Sequence, residues 1–346
     1  MRKIGVGVVG LNMGKNYAEA FKEYDKSELI AVCDFNSEVL SRVSGDLGVK
    51  GYLSYRDMVK DPEIEAVAIV SPSFEHAPMG LYAALNGKHV LVDKPITTDL
   101  AAGDGLIKLC KQKGVTLAGV FQTRLDPMNI RMKKLVDEGQ LGKVFLIEGV
   151  VKWWRGDQEY YHVSEEVEMW KGSWYGEGGG SLINQGIHTL DQLCWIMGDV
   201  DTVYGQYDTV DHDIQAEDFA TAIIRFKNGA VGYIVCTTCA PKEIQETRVS
   251  IYGTKGSVSQ IGDNVTINID GGVEKISPGI DVKTDTLSTV RGGLHDWICF
   301  DFIDSIIEGR SPVVTGESAL RTVEVIKGVY QSALMGNGVK LPLLRL

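Results

Sequence analysis

Ile4-Gly5-Val6-Gly7-Val8-Val9-Gly10-Leu11-Asn12-Met13-Gly14 decides how this chain begins to fold. Ile4 to Val9 is a short apolar and glycine run, the pattern of a strand buried on both faces of a parallel sheet. An amphipathic helix is expected over Lys15 to Lys26. Between them, Gly10 to Gly14 reads as a strand-to-helix turn, where backbone N–H groups and a helix N-terminus can hold a pyrophosphate. Gly5 to Gly10 also matches G-x-G-x-x-G literally, but only Met1 to Ile4 would then precede the motif, too little for a strand. The working turn therefore starts at Gly10. Asn12 stands where a second glycine is expected, and Gly14 comes one position early. Asn tolerates left-handed backbone angles better than most residues, so Gly10, Asn12, Met13 and Gly14 are the expected dinucleotide contacts.

Working outward, Leu29 to Cys33 is a second strand ending in Asp34. A carboxylate at this distance from the glycine turn can accept hydrogen bonds from ribose hydroxyls and would repel a 2′-phosphate. Phe35 and Asn36 follow, with no arginine, so NAD is favoured over NADP. The plain alternative for Asp34 is a cap on the helix that starts near Ser37. The alternation continues through a helix at Tyr55 to Lys60, a strand at Ala66 to Val70, a helix at Ala77 to Asn86, a strand at His89 to Val92, a helix at Leu100 to Lys113 and a strand at Val115 to Val120. Strands alternating with helices imply a doubly wound parallel sheet, with ligands bound past the strand ends. Right-handed crossovers place the loops after Val9, Cys33, Val70 and Val92 on one edge. Ser71, Pro72, His76, Asp93 and Lys94 thus join Gly10 and Asp34 there. In Val90-Leu91-Val92-Asp93-Lys94-Pro95, the proline locks its own φ and restricts Lys94 at the rim.

The chain has 346 residues, enough for two domains. Its 44% apolar and 23% charged content is that of a globular protein. A net charge of −11 argues against nucleic acid and anionic membranes as partners. No run reaches the ~18 residues of a membrane span. A signal peptide is not expected, because glycines break the N-terminal apolar run and Lys15 follows it. Six scattered cysteines form no disulfide framework, so reduced thiols and a cytoplasmic location are expected. Cys236-Thr-Thr-Cys239 has C-x-x-C spacing but lies in a strand-like run with no second pair. No metal site is expected: neither H-E-x-x-H nor paired cysteines are present to enlist His162, His188, His212 or His295.

The pattern changes after Phe121-Gln122-Thr123-Arg124. A helix at Asn129 to Glu138 and a strand at Val144 to Lys152 precede an aromatic, polar segment from Trp153 to Tyr175. Strand candidates follow at Val203 to Thr209, Phe219 to Phe226, Val231 to Cys239, Thr247 to Tyr252, Gly256 to Ile261 and Val265 to Ile269, with antiparallel turn signals. Helices at Asp296 to Glu308 and Glu317 to Met335 close the chain. We expect residues 1–123 to form the dinucleotide-binding domain. Residues 124–346 should form an α+β domain with a large, mostly antiparallel open sheet. A sheet face left uncovered implies homo-oligomerisation, as a homodimer or homotetramer. Within this part, Gly178-Gly179-Gly180 leads to Asn184, His188 and Asp191, spaced to share one helix face. Burying such a face without purpose would be expensive.

Together, Lys94 and His188 resemble the Gfo/Idh/MocA family of nicotinamide oxidoreductases, named for glucose–fructose oxidoreductase, inositol dehydrogenase and a rhizopine-catabolism protein. The resemblance rests on Gly10 to Gly14, Asp34, Ser71-Pro72 with His76, Asp93-Lys94-Pro95, Arg124 with Pro127, and Gly178 through His188 and Asp191. It covers nearly the whole chain. It implies hydride transfer between nicotinamide and a secondary alcohol of a sugar, cyclitol or sugar derivative. Lys94, His188 and Asn184 would be catalytic, and Gln122 would join the cofactor contacts. Arg124, Tyr161 and Trp170 would contact substrate beside Asn184 and His188. Two residues depart from the family pattern: Asp93 replaces the usual Glu, and Asn184 replaces an Asp found in many members and cannot carry a proton away. Two alternatives keep the fold: a redox-neutral, NAD-dependent glycosidase, and a non-catalytic NAD or sugar sensor.

Overall fold

The computed structural model describes residues 2–276 and 293–344. The chain forms two compact units, Met1–Leu125 with Arg291–Leu320, and Asp126–Val290 with Arg321–Leu346.

In the first unit, six strands form a parallel sheet: β1 (Ile4–Val9), β2 (Ser27–Cys33), β3 (Lys50–Tyr52), β4 (Ala66–Ile69), β5 (His89–Val92) and β6 (Leu117–Gly119), in the order β3-β2-β1-β4-β5-β6. This is the doubly wound dinucleotide-binding order, which reverses between β1 and β4. Helices α1 (Leu11–Glu23), α2 (Ser37–Leu47), α3 (Tyr55–Lys60), α4 (His76–Leu85) and α5 (Leu100–Lys113) connect the strands. The strands are apolar because both faces are covered; every residue of β1 and β4 is buried. Short β3 escaped the sequence pattern because it is an exposed edge of three residues.

Residues 291–320 group with the first unit, not with the rest of the expected 124–346 domain. They hold α9 (Leu294–Glu308) and the first turn of α10 (Gly316–Met335). Side chains far apart in sequence fix α9 there. Tyr24 stacks on Phe300 with ring centroids 4.2 Å apart, and Asp304 accepts hydrogen bonds from Tyr24 (2.8 Å) and Lys26 (2.7 Å).

In the second unit, α6 (Pro127–Asp137) leads into β7 (Val144–Lys152), and the short helix α7 (Glu165–Glu168) and α8 (Ile187–Met197) follow. Next come β8 (Val200–Asp208), β9 (Phe219–Phe226), β10 (Val231–Thr237), β11 (Glu246–Gly253), β12 (Gly256–Ile261), β13 (Asn264–Ile269), β14 (Gly272–Ile276) and, near the end, β15 (Val339–Lys340). The nine strands are ordered β14-β13-β12-β11-β7-β10-β9-β8-β15. All pairs are antiparallel except β7 with β10, which are parallel. That pair makes the sheet mixed, and turn residues could not foretell it, because it joins strands far apart in the chain. On one face Tyr204, Ile223 and Tyr233 lie opposite one another across β8, β9 and β10. The other face is buried in alternation along β9 and β10.

Candidate active site

In the first unit, the strand ends build one connected edge. α1 begins immediately after Gly10, four residues earlier than the sequence reading placed it, so Asn12 and Met13 lie exposed on its first turn. Asn12 therefore needs no left-handed angle. Gly10 carries the strain instead, with φ +86°, and a Cβ there would sit 2.6 Å from the Val70 carbonyl. Backbone following β1 and β4 thus meets at the point where strand order reverses, next to the α1 N-terminus, the place where such folds take up a pyrophosphate. Gly14 faces Val8 and Val70 and lets the helix pack onto the sheet.

Asp34 takes two backbone N–H groups, from Leu11 (2.8 Å) and Asn36 (2.9 Å). It does not cap α2. Asn36 does, accepting from Glu38 and Val39. Asp34 instead ties the end of β2 to the glycine turn.

His76 is buried, and its ring nitrogens meet the carbonyl oxygens of Pro95 (2.7 Å) and Ser71 (2.8 Å). In either tautomer one N–H donates. Burial holds the imidazole below its ordinary value, against the pull of Asp93 and the two carbonyls. His76 thus clamps the loop after β4 to the loop after β5. The Lys94–Pro95 peptide is cis, and Lys94 is half-buried at the rim. Tyr17, which the sequence reading missed, donates from α1 to Asp93 (3.1 Å). Beyond β6, Gln122 begins a 3-10 turn, and its Oε1 is buried without a hydrogen-bond partner among the described residues. An orphaned acceptor at this edge, with the glycine cradle, fits a dinucleotide. Arg124, in the same turn, is 5% exposed, donates to Ser318 (3.1 Å) and lies over the Phe121 ring.

In the second unit, Leu182–Gly186 is a π-helical turn that runs into α8. The i, i+4, i+7 spacing predicts one regular helix here, and the π turn departs from it. Such turns are frequent at functional sites because the wider turn re-aims side chains. Between Leu182 and Leu190 only Asn184 and His188 are not buried. Asp191 does not share their exposure: it is fully buried and accepts from Thr322 (2.8 Å).

What places the π turn is Glu217, another residue the sequence reading missed. Its carboxylate accepts from Gly180 N (2.6 Å), Leu182 N (2.8 Å) and the Tyr330 hydroxyl (2.9 Å), and its carbonyl accepts from Ser181 N (2.8 Å). A Cβ on Gly180 would lie 1.9 Å from that carbonyl, so only glycine fits. Burial pushes the Glu217 carboxyl up to about 7, while its donors pull it back. Buried Glu177 accepts from the Asn184 amide and from Gly172 N (2.7 Å). An Asp at position 184 would put two carboxylates in contact, which accounts for Asn there. Tyr161 is buried with its hydroxyl on Thr238 (3.0 Å), whereas its neighbour Tyr160 is bound by Gln185 (2.6 Å) and carries the Lys171 ammonium over its ring (3.7 Å). Trp170 is half-buried beside them.

Residues 4–121 match the family described as "Oxidoreductase family, NAD-binding Rossmann fold", and residues 130–259 match "GFO/IDH/MocA C-terminal domain". The chain is 30% identical over 272 residues to a myo-inositol 2-dehydrogenase of Thermotoga maritima, spanning 75% of each chain. It belongs to the Gfo/Idh/MocA oxidoreductase family. It is 26% identical to the scyllo-inositol 2-dehydrogenase (NAD(+)) of Bacillus subtilis over 98% of this chain and 95% of the other. Among solved structures, the WlbA dehydrogenase of Bordetella pertussis, in complex with NADH and UDP-GlcNAcA, superimposes with a TM-score of 0.86 at 29% identity, covering 99% of this chain and all of that one. The first unit thus holds the NAD-binding Rossmann domain of a dehydrogenase.

Proposed function

We propose that this oxidoreductase acts on a secondary alcohol of a cyclitol, sugar or sugar derivative. The observation that carries the proposal is the edge running from Gly10 through Ser71, His76 and Pro95 to Lys94, which ties a cationic side chain to a dinucleotide cradle. Relatives named for inositols, and a neighbour solved with a sugar nucleotide, support the substrate class.

When bound, NAD supplies the hydride acceptor. Gly10, Asn12, Met13 and Gly14 would hold its pyrophosphate, Asp34 its ribose, and Ser71, Pro72, Asp93 and Gln122 the remainder, with His76 fixing the loops. The alcohol oxygen gains negative charge as the hydride leaves, and the Lys94 ammonium would stabilise it. Imidazole titrates near ~6.5 and lysine near ~10.4 when unperturbed, so His188 is the better base at neutral pH. Asn184, its amide donor end held by Glu177, would present its carbonyl oxygen to a substrate hydroxyl. Tyr160 and Trp170 would pack against the apolar faces of a ring.

We also propose self-association, as a dimer or tetramer, through the outer face of the second sheet. Tyr204 and Ile223, more than half exposed, lie directly opposite each other there. Six free thiols fit a cytoplasmic protein, and among the described residues no helix is long and apolar enough to cross a membrane.

The deciding assay scores inositols, aldoses and sugar nucleotides by reduced-nicotinamide absorbance, with NAD and NADP in parallel. Turnover of one class with NAD is expected. No reduction with any substrate, or cleavage of glycosides without net reduction, would overturn the reading.

A further inference from the structure

The second unit holds a His–Asp–Cys cluster that the chemistry above does not use. Asp218 lies immediately before β9, His212 in the loop leading to it, and Cys239 just beyond β10. Their ligand atoms all lie within 4.8 Å of one another. His212 Nδ1 is 3.0 Å from Asp218 Oδ2 and 3.8 Å from Cys239 Sγ. Asp218 is fully buried, His212 is 8% exposed, and Cys239 is half-buried. Exposed acidic groups often gather without a ligand; buried ones need a reason.

The orientation of His212 is the second observation. Its Nε2 lies 2.5 Å from the Arg155 carbonyl oxygen. A carbonyl only accepts, so Nε2–H donates there. In a neutral ring that leaves the Nδ1 lone pair aimed at a carboxylate oxygen and a sulfur. Nδ1 and the Asp218 carboxylate oxygen then face each other with no proton between them, and Cys239, whose S–H meets the Asp218 carbonyl oxygen (3.6 Å), sits beside them; a cation that displaces the thiol proton would join all three. Metal-bound histidines are held in the same way, the remote N–H donating to a backbone carbonyl or carboxylate. Asp218 is anchored as well, accepting from the backbone N–H groups of Val210 (2.7 Å), Asp211 (2.9 Å) and His212 (2.9 Å).

We propose that His212, Asp218 and Cys239 bind one divalent, thiophilic cation, Zn²⁺ by its preference for mixed nitrogen, oxygen and sulfur donors. Three protein ligands leave a fourth position for water on the half-exposed Cys239 side. The cation pins the aromatic segment to the sheet. Trp154 bridges to Cys239, Arg155 N donates to the Thr238 carbonyl (2.9 Å), and the Tyr161 ring lies 5.1 Å from that of His212. The ligands come from the segment before β9 and the residues just beyond β10, a separation that no short metal motif contains.

The test titrates chelator-treated full-length protein with Co²⁺. One equivalent per chain is expected to give the near-ultraviolet thiolate-to-cobalt band with the visible bands of a four-coordinate ion, and Zn²⁺ should bleach both. Cys239→Ser should lose the thiolate band, whereas Cys194→Ser should keep it. Zn²⁺ should raise the Tm of the wild type and leave that of Cys239→Ser unchanged. Should Cys239→Ser fail to fold, the band on the wild-type protein still reports a thiolate ligand. No stoichiometric uptake, uptake without the thiolate band, or a band that survives Cys239→Ser in folded protein would overturn the proposal and leave His212 and Asp218 as a hydrogen-bonded pair.

Discussion

The Gly10 turn and the Gly178–Gly180 turn both deliver a helix start, yet they are held by different means. At Gly10, backbone meets backbone: β1 and β4 abut at Val70, and a regular α-helix starts at once. At Gly180 a side chain from the distant loop before β9 does the holding. Glu217 gathers Gly180, Ser181 and Leu182, and the chain then widens into a π turn. A cradle built of backbone is a property of a local motif. A turn clamped by one carboxylate depends on whatever brings that carboxylate there.

The sharpest way to break this comparison is to ask whether both regions serve one reaction. His188→Ala and Lys94→Ala should each lower kcat by at least ~10²-fold, with NAD affinity retained by calorimetry. Near-normal turnover in either variant removes its region from the chemistry. Next in size, Gly10→Ala should cost about 2–4 kcal/mol from left-handed strain and the clash with Val70, and should abolish NAD binding. A full-strength NAD complex in that variant would mean that the cradle is not backbone-limited.

Glu217→Gln sharpens the other side. It puts an amide where N–H groups already point, and should cost about 1–3 kcal/mol in urea unfolding. The Glu217 folded pKa lies above its unfolded value. The native state therefore holds the extra proton between about 4.5 and 7, and this contribution to stability falls as pH rises through that window. The advantage of wild type over Glu217→Gln should shrink by at most about 3 kcal/mol from pH 4.5 to pH 7, then level off. A constant difference would place Glu217 ionised throughout. The smallest effect is expected at Asp34→Ala: roughly tenfold less discrimination of NAD from NADP in kcat/KM. Unchanged discrimination would leave Asp34 only its backbone contacts.

Much of the first unit was legible in the chain. Strand β5 and helices α3 and α5 fall where the hydrophobic period placed them, because doubly wound segments are short, regular and separated by clear turns. In the second unit β7, β9 and β12 were equally plain. Edge strands β14 and β15 were not, being too short and polar to alternate. Asp191 has helical spacing from His188, but its pairing with Thr322 rests on α10 and is invisible from spacing alone. Glu177, Glu217 and Tyr17 carried no motif; each is an ordinary polar residue until the fold supplies its partner.

By itself, the sequence determined the alternation that makes a parallel sheet, the strand-to-helix turn at Gly10 and the identity of Lys94 and His188 as candidate chemistry. All of these are encoded by neighbours within a few residues, where periodicity and turn chemistry act. Tertiary structure alone decided that His76 spans two loops, that residues 291–320 return to the first unit, that β7 lies parallel to β10, and that Glu217 sets the π turn. Those features join residues far apart in the chain. Their free energy comes from buried polar groups finding partners, which no local pattern records.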